Sequence, residues 1–119
     1  MSQISKHFKR YEFECQCGCG SNAADIELVG VLEKVREHVG EPIVITSANR
    51  CESHNKKVGG ADRSKHKQSI AVDFKVQDCS QDEVADYLES NYPDKYGIGR
   101  YNGRTHLDVR SSKARWDKR

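Results

Sequence analysis

The dipeptide Asn102-Gly103 separates two β-rich runs, Tyr96-Gly97-Ile98-Gly99-Arg100-Tyr101 and Arg104-Thr105-His106-Leu107-Asp108-Val109. Asn-Gly between such runs is the strongest short-range hairpin signal, because two-residue hairpin turns need left-handed backbone that these residues adopt with little strain. An antiparallel pair is therefore expected here, and the turn sets its register. Strand side chains repeat every two residues, so His106 and Asp108 share one face of the hairpin.

Another strand is expected at Ala71-Val72-Asp73-Phe74-Lys75-Val76, whose alternation turns Val72, Phe74 and Val76 to the core and Asp73 to a cleft. The short β-branched run Pro42-Ile43-Val44-Ile45-Thr46 reads as a buried strand delivering Ser47 to Arg50 at its end. Elsewhere the period changes. Leu28, Val31, Leu32, Val35 and Val39 recur at three- and four-residue steps, predicting a helix capped by Asp25 and stopped by Gly40 and Pro42. His38 in its last turn is placed to complement the helix dipole. Ser80-Gln81-Asp82-Glu83 reads as a capping box opening a further helix, with Val84, Tyr87 and Leu88 on its apolar side and Pro93 beyond its end. Cys51 to Val58 fits a short helix broken by Gly59-Gly60. The fold class is α+β, a small antiparallel sheet packed by helices.

At 119 residues the chain is expected to form one domain, 1–119, that buries about two-thirds of its unfolded surface. No apolar run approaches the roughly 20 residues of a membrane span, so no membrane partner is expected. Met1 to Arg10 is mostly polar and lacks the apolar centre of a secretory signal, making the cytoplasm the expected compartment on synthesis. A net charge of only +2, without interleaved aromatic and basic residues, argues against a nucleic-acid-binding module. The last ten residues, Arg110 to Arg119, set five basic side chains against Asp117 and read as a solvated basic tail. A monomer is expected.

Five cysteines is an odd number, and in a reducing compartment disulfides are not the default. Three crowd into Cys15-Gln16-Cys17-Gly18-Cys19. A structural zinc site completed by Cys51 or Cys79 is one reading, but Cys-x-Cys-x-Cys is tighter than the usual Cys-x2-4-Cys and no partner pair is evident. The preferred reading is a glycine-punctuated loop with small, partly buried thiols.

The strongest chemical pattern lies elsewhere. His66 and Asp73 are seven residues apart with Ile70 and Ala71 between them, so a loop holding His66 can turn into the strand that delivers Asp73. Zinc takes imidazole nitrogen and carboxylate oxygen, and a catalytic site supplies three protein ligands while leaving a position for water. His66, Asp73 and His106 suit that pattern. Spacing alone leaves a surface histidine and a strand-end aspartate equally open, in a chain with five His and eighteen acidic residues.

Ser64-x-His66-x-x-x-x-Ala71-x-Asp73 and His106-x-Asp108-x-Arg110 resemble the words of the D-Ala-D-Ala carboxypeptidase-like zinc metallopeptidases, a fold group shared with hedgehog signalling domains and several phage endolysins. The resemblance is to the small, single-domain branch and extends along the chain. It includes Ser5-Lys6-His7-Phe8 with Glu12-Phe13-Glu14-Cys15, Ser47-Ala48-Asn49-Arg50, His54-Asn55, Val58-Gly59-Gly60-Ala61 and Lys113-Ala114-Arg115-Trp116.

The resemblance implies a hedgehog/D,D-peptidase-like fold and Zn²⁺ held by His66, Asp73 and His106. It places Arg50 facing substrate, where a guanidinium can bond a carboxylate through two parallel donors. Ser64 is expected to orient His66 or contact substrate, and His54 to play a supporting part. Arg110 is expected to pair with Asp108 or bind substrate. The implied activity is hydrolysis of D-amino-acid-containing peptide bonds in bacterial peptidoglycan stem peptides or cross-bridges, by carboxypeptidase or endopeptidase action, with phage or prophage lysis as the setting. Two departures stand out. Ser69 replaces a usual glycine, and Gly103 occupies the place, three before the last histidine, where many relatives carry the acidic proton acceptor. Asp108 is the expected substitute; its other reading is a carboxylate that orients a ligand. The alternative function is a non-catalytic zinc-binding domain of the same fold that binds a cell-wall peptide or a protein partner.

Overall fold

The computed structural model describes residues 3–17, 19, 23, 25–48, 50–60, 65, 66 and 70–119. Helix α1, Ile26–Val39, begins where Asp25 Oδ1 accepts hydrogen bonds from the backbone N–H groups of Glu27 and Leu28, satisfying donors that the first turn leaves open. It ends at Gly40, whose left-handed φ of 69° carries its N–H back to the Arg36 carbonyl. Leu28, Val31, Leu32 and Val35 are buried along one stripe. Helix α2, Glu52–Lys57, is a single short piece after Cys51. Helix α3, Gln81–Asn91, opens with Ser80 Oγ accepting from the Glu83 N–H at 3.1 Å, while the Glu83 carboxylate turns to the Cys79 thiol. His38 packs flat against Tyr87 of α3, with ring centroids 4.1 Å apart.

Among the described residues the sheet has five strands, β1 Ile43–Ser47, β2 Ala71–Val76, β3 Gly97–Tyr101, β4 Arg104–Asp108 and β5 Ala114–Lys118, in the spatial order β1-β2-β4-β3-β5. The first four pair antiparallel, with the expected hairpin at Asn102-Gly103 joining β3 and β4. Strand β1 runs along one edge; Ile43 is buried, but Val44 is exposed. One face of the sheet carries Val72, Phe74, Ile98 and Leu107 into a core closed by α1, α3 and the aromatic pair Phe8 and Phe13. The opposite face, by the two-residue repeat of strands, carries Asp73 and His106.

Strand β5 corrects the expectation of a solvated tail. It pairs parallel to β3, and Arg115 donates to the carbonyls of Tyr92 and Tyr96, both at 2.6 Å. Trp116 Nε1–H donates to the Tyr101 hydroxyl at 2.8 Å. The basic charges conceal a strand because their partners are backbone oxygens and strand β3, neither visible in a count of charge. The sheet is thus antiparallel with one parallel edge strand.

Candidate metal centre

The centre is built by register. In the β2–β4 pairing Asp73 stands directly opposite His106, and Ala71 opposite Asp108. His106 Nδ1 lies 2.9 Å from Asp73 Oδ1. His66 arrives from a turn and places Nε2 3.3 Å from Asp73 Oδ2. Its Nδ1 is 2.7 Å from the Ala48 carbonyl, which can only accept, so Nδ1 carries the hydrogen and Nε2 presents its lone pair. The Arg50 N–H in turn donates to the His66 carbonyl at 3.2 Å, and Thr46 Oγ1 donates to the Asp73 carbonyl at 3.1 Å. His66, Asp73 and His106 are all buried.

One potential ligand atom from each of His66, Asp73 and His106 lies within 4.8 Å of the other two. Tetrahedral zinc with bonds of about 2.0–2.2 Å sets its ligand atoms roughly 3.3–3.6 Å apart. The contacts of 3.3 Å to Asp73 Oδ2 and 2.9 Å to Asp73 Oδ1 are close to that spacing. Two neutral nitrogens and a carboxylate oxygen are also the donor set that zinc prefers.

A family model described as Peptidase M15 matches residues 6–108. The chain belongs to the Peptidase M15 family. No curated protein matches it. M15 peptidases are metal-dependent, generally on zinc, and the matched span includes His66, Asp73 and His106. It stops before β5, so Trp116 of this M15 domain lies beyond the match.

Behind His106 stands Asp108, completely shielded from solvent. Its Oδ2 is 2.8 Å from His106 Nε2, and Arg110 closes on both oxygens, Nε to Oδ1 at 2.6 Å and Nη2 to Oδ2 at 2.7 Å. Trp116 covers this group, its ring centroid 5.0 Å from that of His106 and 5.5 Å from the Arg110 guanidinium carbon.

The electrostatics follow from these contacts. Burial by itself would raise the Asp73 carboxyl, but its contacts with His106 and His66 outweigh it and hold the group well below the usual carboxylate range. Burial likewise opposes ionisation of Asp108, and bonding to His106 and Arg110 wins, again lowering it. For His106, burial favours the neutral ring, yet the two flanking carboxylates, Asp108 and Asp73, push its pKa above the ordinary 6.5.

Arg50 lies beside the centre, its Nη2 3.8 Å from Asp73 Oδ2 and its Nη1 donating to Asn55 Oδ1 at 3.2 Å. Ser64 and Ser69 lie outside the described residues. Arg110 pairs with Asp108 and also forms part of a groove wall. Arg104 was not singled out from the sequence, yet its Nε is 4.0 Å from Asp73 Oδ2 and its guanidinium sits 4.2 Å over the Tyr101 ring. The signal was present: the two-residue repeat that joins His106 to Asp108 also puts Arg104 on that face. Trp116, noted only as part of a closing segment, likewise reaches the centre.

Two grooves meet at Arg50, Asp73 and Arg104. One, of about 560 Å³, also has Lys65, His66, His106, Arg110 and Trp116 in its walls. The other, of about 410 Å³, runs past Gln16, His54 and Lys75. Among the described residues lining the two, Asp73 is the one carboxylate.

Proposed function

We propose that this M15 domain is a zinc-dependent peptidase acting on D-amino-acid-containing peptides of bacterial peptidoglycan, by carboxypeptidase or endopeptidase action and in a setting such as phage or prophage lysis. The observation that carries the reading is the convergence of His66, Asp73 and His106 at the meeting point of two open, cation-lined grooves. His66 Nε2, an Asp73 oxygen and His106 Nδ1 would hold the ion. When bound, zinc supplies Lewis acidity toward a peptide carbonyl and toward water.

The protein's own residues do the rest. Ala48 holds His66 in the tautomer that frees Nε2. Of the two roles open to Asp108, its surroundings favour the orienting one: both oxygens are occupied, and bonding to His106 Nε2 aims Nδ1 at Asp73. Arg50 and Arg104 face the cleft with guanidinium groups suited to a stem-peptide carboxylate. Arg110 neutralises Asp108, and Trp116 packs beside the Arg110 guanidinium.

A second reading, a zinc-binding domain that captures a cell-wall peptide or protein partner without cutting it, is favoured by one observation. Gly103 stands at the usual acidic position, and no described residue lining the grooves other than Asp73 offers a carboxylate. The two separate in one experiment: zinc content and muropeptide cleavage by mass spectrometry, for wild type, His66→Ala and Asp108→Ala. The peptidase reading expects cleavage by wild type and loss of both zinc at this centre and cleavage in His66→Ala. Asp108→Ala with weakened zinc binding supports the orienting role; full zinc with no cleavage assigns Asp108 to proton transfer. Zinc-loaded wild type that cuts no wall fragment would establish the capture reading.

A further inference from the structure

The thiols that looked like a loop are gathered by the fold. Cys51, which follows Arg50 directly, comes back to the Cys15-Gln16-Cys17-Gly18-Cys19 segment, and the sulfurs of Cys15, Cys17, Cys19 and Cys51 all lie within 4.8 Å of one another. Cys79 is not of this group; its thiol turns to Glu83. The distance from Cys15 Sγ to Cys17 Sγ is 3.5 Å, and from Cys17 Sγ to Cys51 Sγ also 3.5 Å. Zn–S bonds of about 2.3 Å in a tetrahedron place sulfurs about 3.8 Å apart. All four cysteines are unbridged. The tight Cys-x-Cys-x-Cys spacing, which speaks against a paired zinc knuckle, is no obstacle once three ligands come from one turn and the fourth from a distant loop.

Two backbone donors already point at the sulfurs. The Cys51 N–H donates to Cys15 Sγ and the His54 N–H to Cys51 Sγ, each at 3.4 Å. Such bonds offset the negative charge that four thiolates keep after neutralising a divalent ion, and they fix ligand orientation. Cys15 is buried and Cys51 half-buried, while Cys17 and Cys19 reach the surface, leaving a path for metal entry.

We infer that Cys15, Cys17, Cys19 and Cys51 form a second, structural zinc site that staples the N-terminal segment to the loop leading from β1 into α2. Each thiol yields its proton to solvent as the ion binds, so no oxidant is involved. The staple has a functional position. Its loop carries Ala48, which fixes the tautomer of His66, and Arg50, which lies beside Asp73. Gln16, between two of the ligands, bonds the Thr46 carbonyl on β1 and adds to the same join. A crosslink closing a 36-residue separation restricts the unfolded chain as a disulfide would, but remains available in a reducing compartment.

The test is metal analysis of protein purified under reducing conditions with zinc supplied. Wild type is expected to carry about two zinc ions per chain, and its X-ray absorption spectrum to contain a sulfur shell near about 2.3 Å beside a nitrogen–oxygen shell near about 2.0 Å. His66→Ala is expected to keep the sulfur-bound ion alone, and Cys17→Ser/Cys51→Ser the other alone, with a lower Tm. The histidine variant separates this site from the peptidase centre, since its sulfur-bound zinc does not depend on the proposed reaction. The spectrum of wild type needs no variant to fold. Absence of a sulfur shell in zinc-loaded wild type overturns the inference, as does an intact mass showing these thiols paired in disulfides.

Discussion

Gly97 offers a way to disturb the proposed centre from behind. It stands opposite Asp108 in the β3–β4 pairing, and a Cβ there would lie 2.4 Å from Asp108 Oδ2 and 2.6 Å from Oδ1. Ordinary contact begins near 3.4 Å, so Gly97→Ala requires the carboxylate to retreat by about 1 Å. That carboxylate has little freedom, held at 2.6 and 2.7 Å by Arg110 and at 2.8 Å by His106. A retreat of that size breaks at least one of these bonds. Overpacking in a buried site costs about 1–3 kcal/mol, which for a domain of this size is roughly 4–15 °C in Tm. Disturbing a residue that orients a metal ligand weakens metal affinity by about 10–100-fold. The assay is a Co²⁺ binding isotherm, whose spectrum separates nitrogen–oxygen from sulfur ligation, together with thermal melts in excess chelator. Gly30→Ala is the control, because its Cβ meets nothing within 4 Å on an exposed face of α1. It should raise stability by about 0.5–1 kcal/mol through helix propensity and leave Co²⁺ binding alone. A Gly97→Ala protein that binds Co²⁺ as tightly as wild type, with unchanged Tm, would refute the argument that Asp108 positions His106.

Without metal, stability should peak in mildly acid solution. The lowered carboxylates of Asp73 and Asp108 contribute above the ordinary value of 3.8 and lose that contribution as pH falls through their folded values. The raised His106 contributes fully below 6.5 and loses it as pH rises through its folded value. Tm in chelator should therefore plateau between about pH 4 and 6.5, whereas zinc, which replaces the His106 Nδ1 proton, should move the plateau above neutrality; identical profiles would count against the ligand assignment. Asp108→Asn removes the charge facing Arg110 and His106 in a dry site and should cost about 3 kcal/mol in urea unfolding at pH 7, toward the low end because Arg110 keeps some contact with water. Arg104→Ala should raise KM for carboxylate-bearing peptides by about tenfold while zinc content and stability stay at wild-type levels. An unchanged KM would remove Arg104 from the cleft's recognition groups.

What the sequence revealed was short in range. The Asn102-Gly103 turn and the alternation of Ala71–Val76 place His106 and Asp73 on strand faces, and the pairing sets them opposite each other. Caps at Asp25 and Ser80 were legible for the same reason: each acts within three residues. What stayed hidden was long in range. Cys51 completes a thiol cluster begun 36 residues earlier, and no spacing rule spans that distance. Arg115 and Trp116 looked like part of a basic tail because their partners are backbone oxygens, a tyrosine hydroxyl and a parallel strand. The two-residue repeat places Asp108 beside His106; that both its oxygens are taken depends on where Arg110 folds back.

The β2–β4 pairing brings together residues 33 positions apart, and His66 depends on a carbonyl 18 positions before it. Contacts this distant form slowly, since loop closure must precede any gain from pairing. A chain still emerging from the ribosome with β4 unmade holds His66 and Asp73 but has no third ligand, and Asp73 lacks the opposite strand that aims it. Competence to hold an ion at this centre would thus wait for β4 and arrive in a single step.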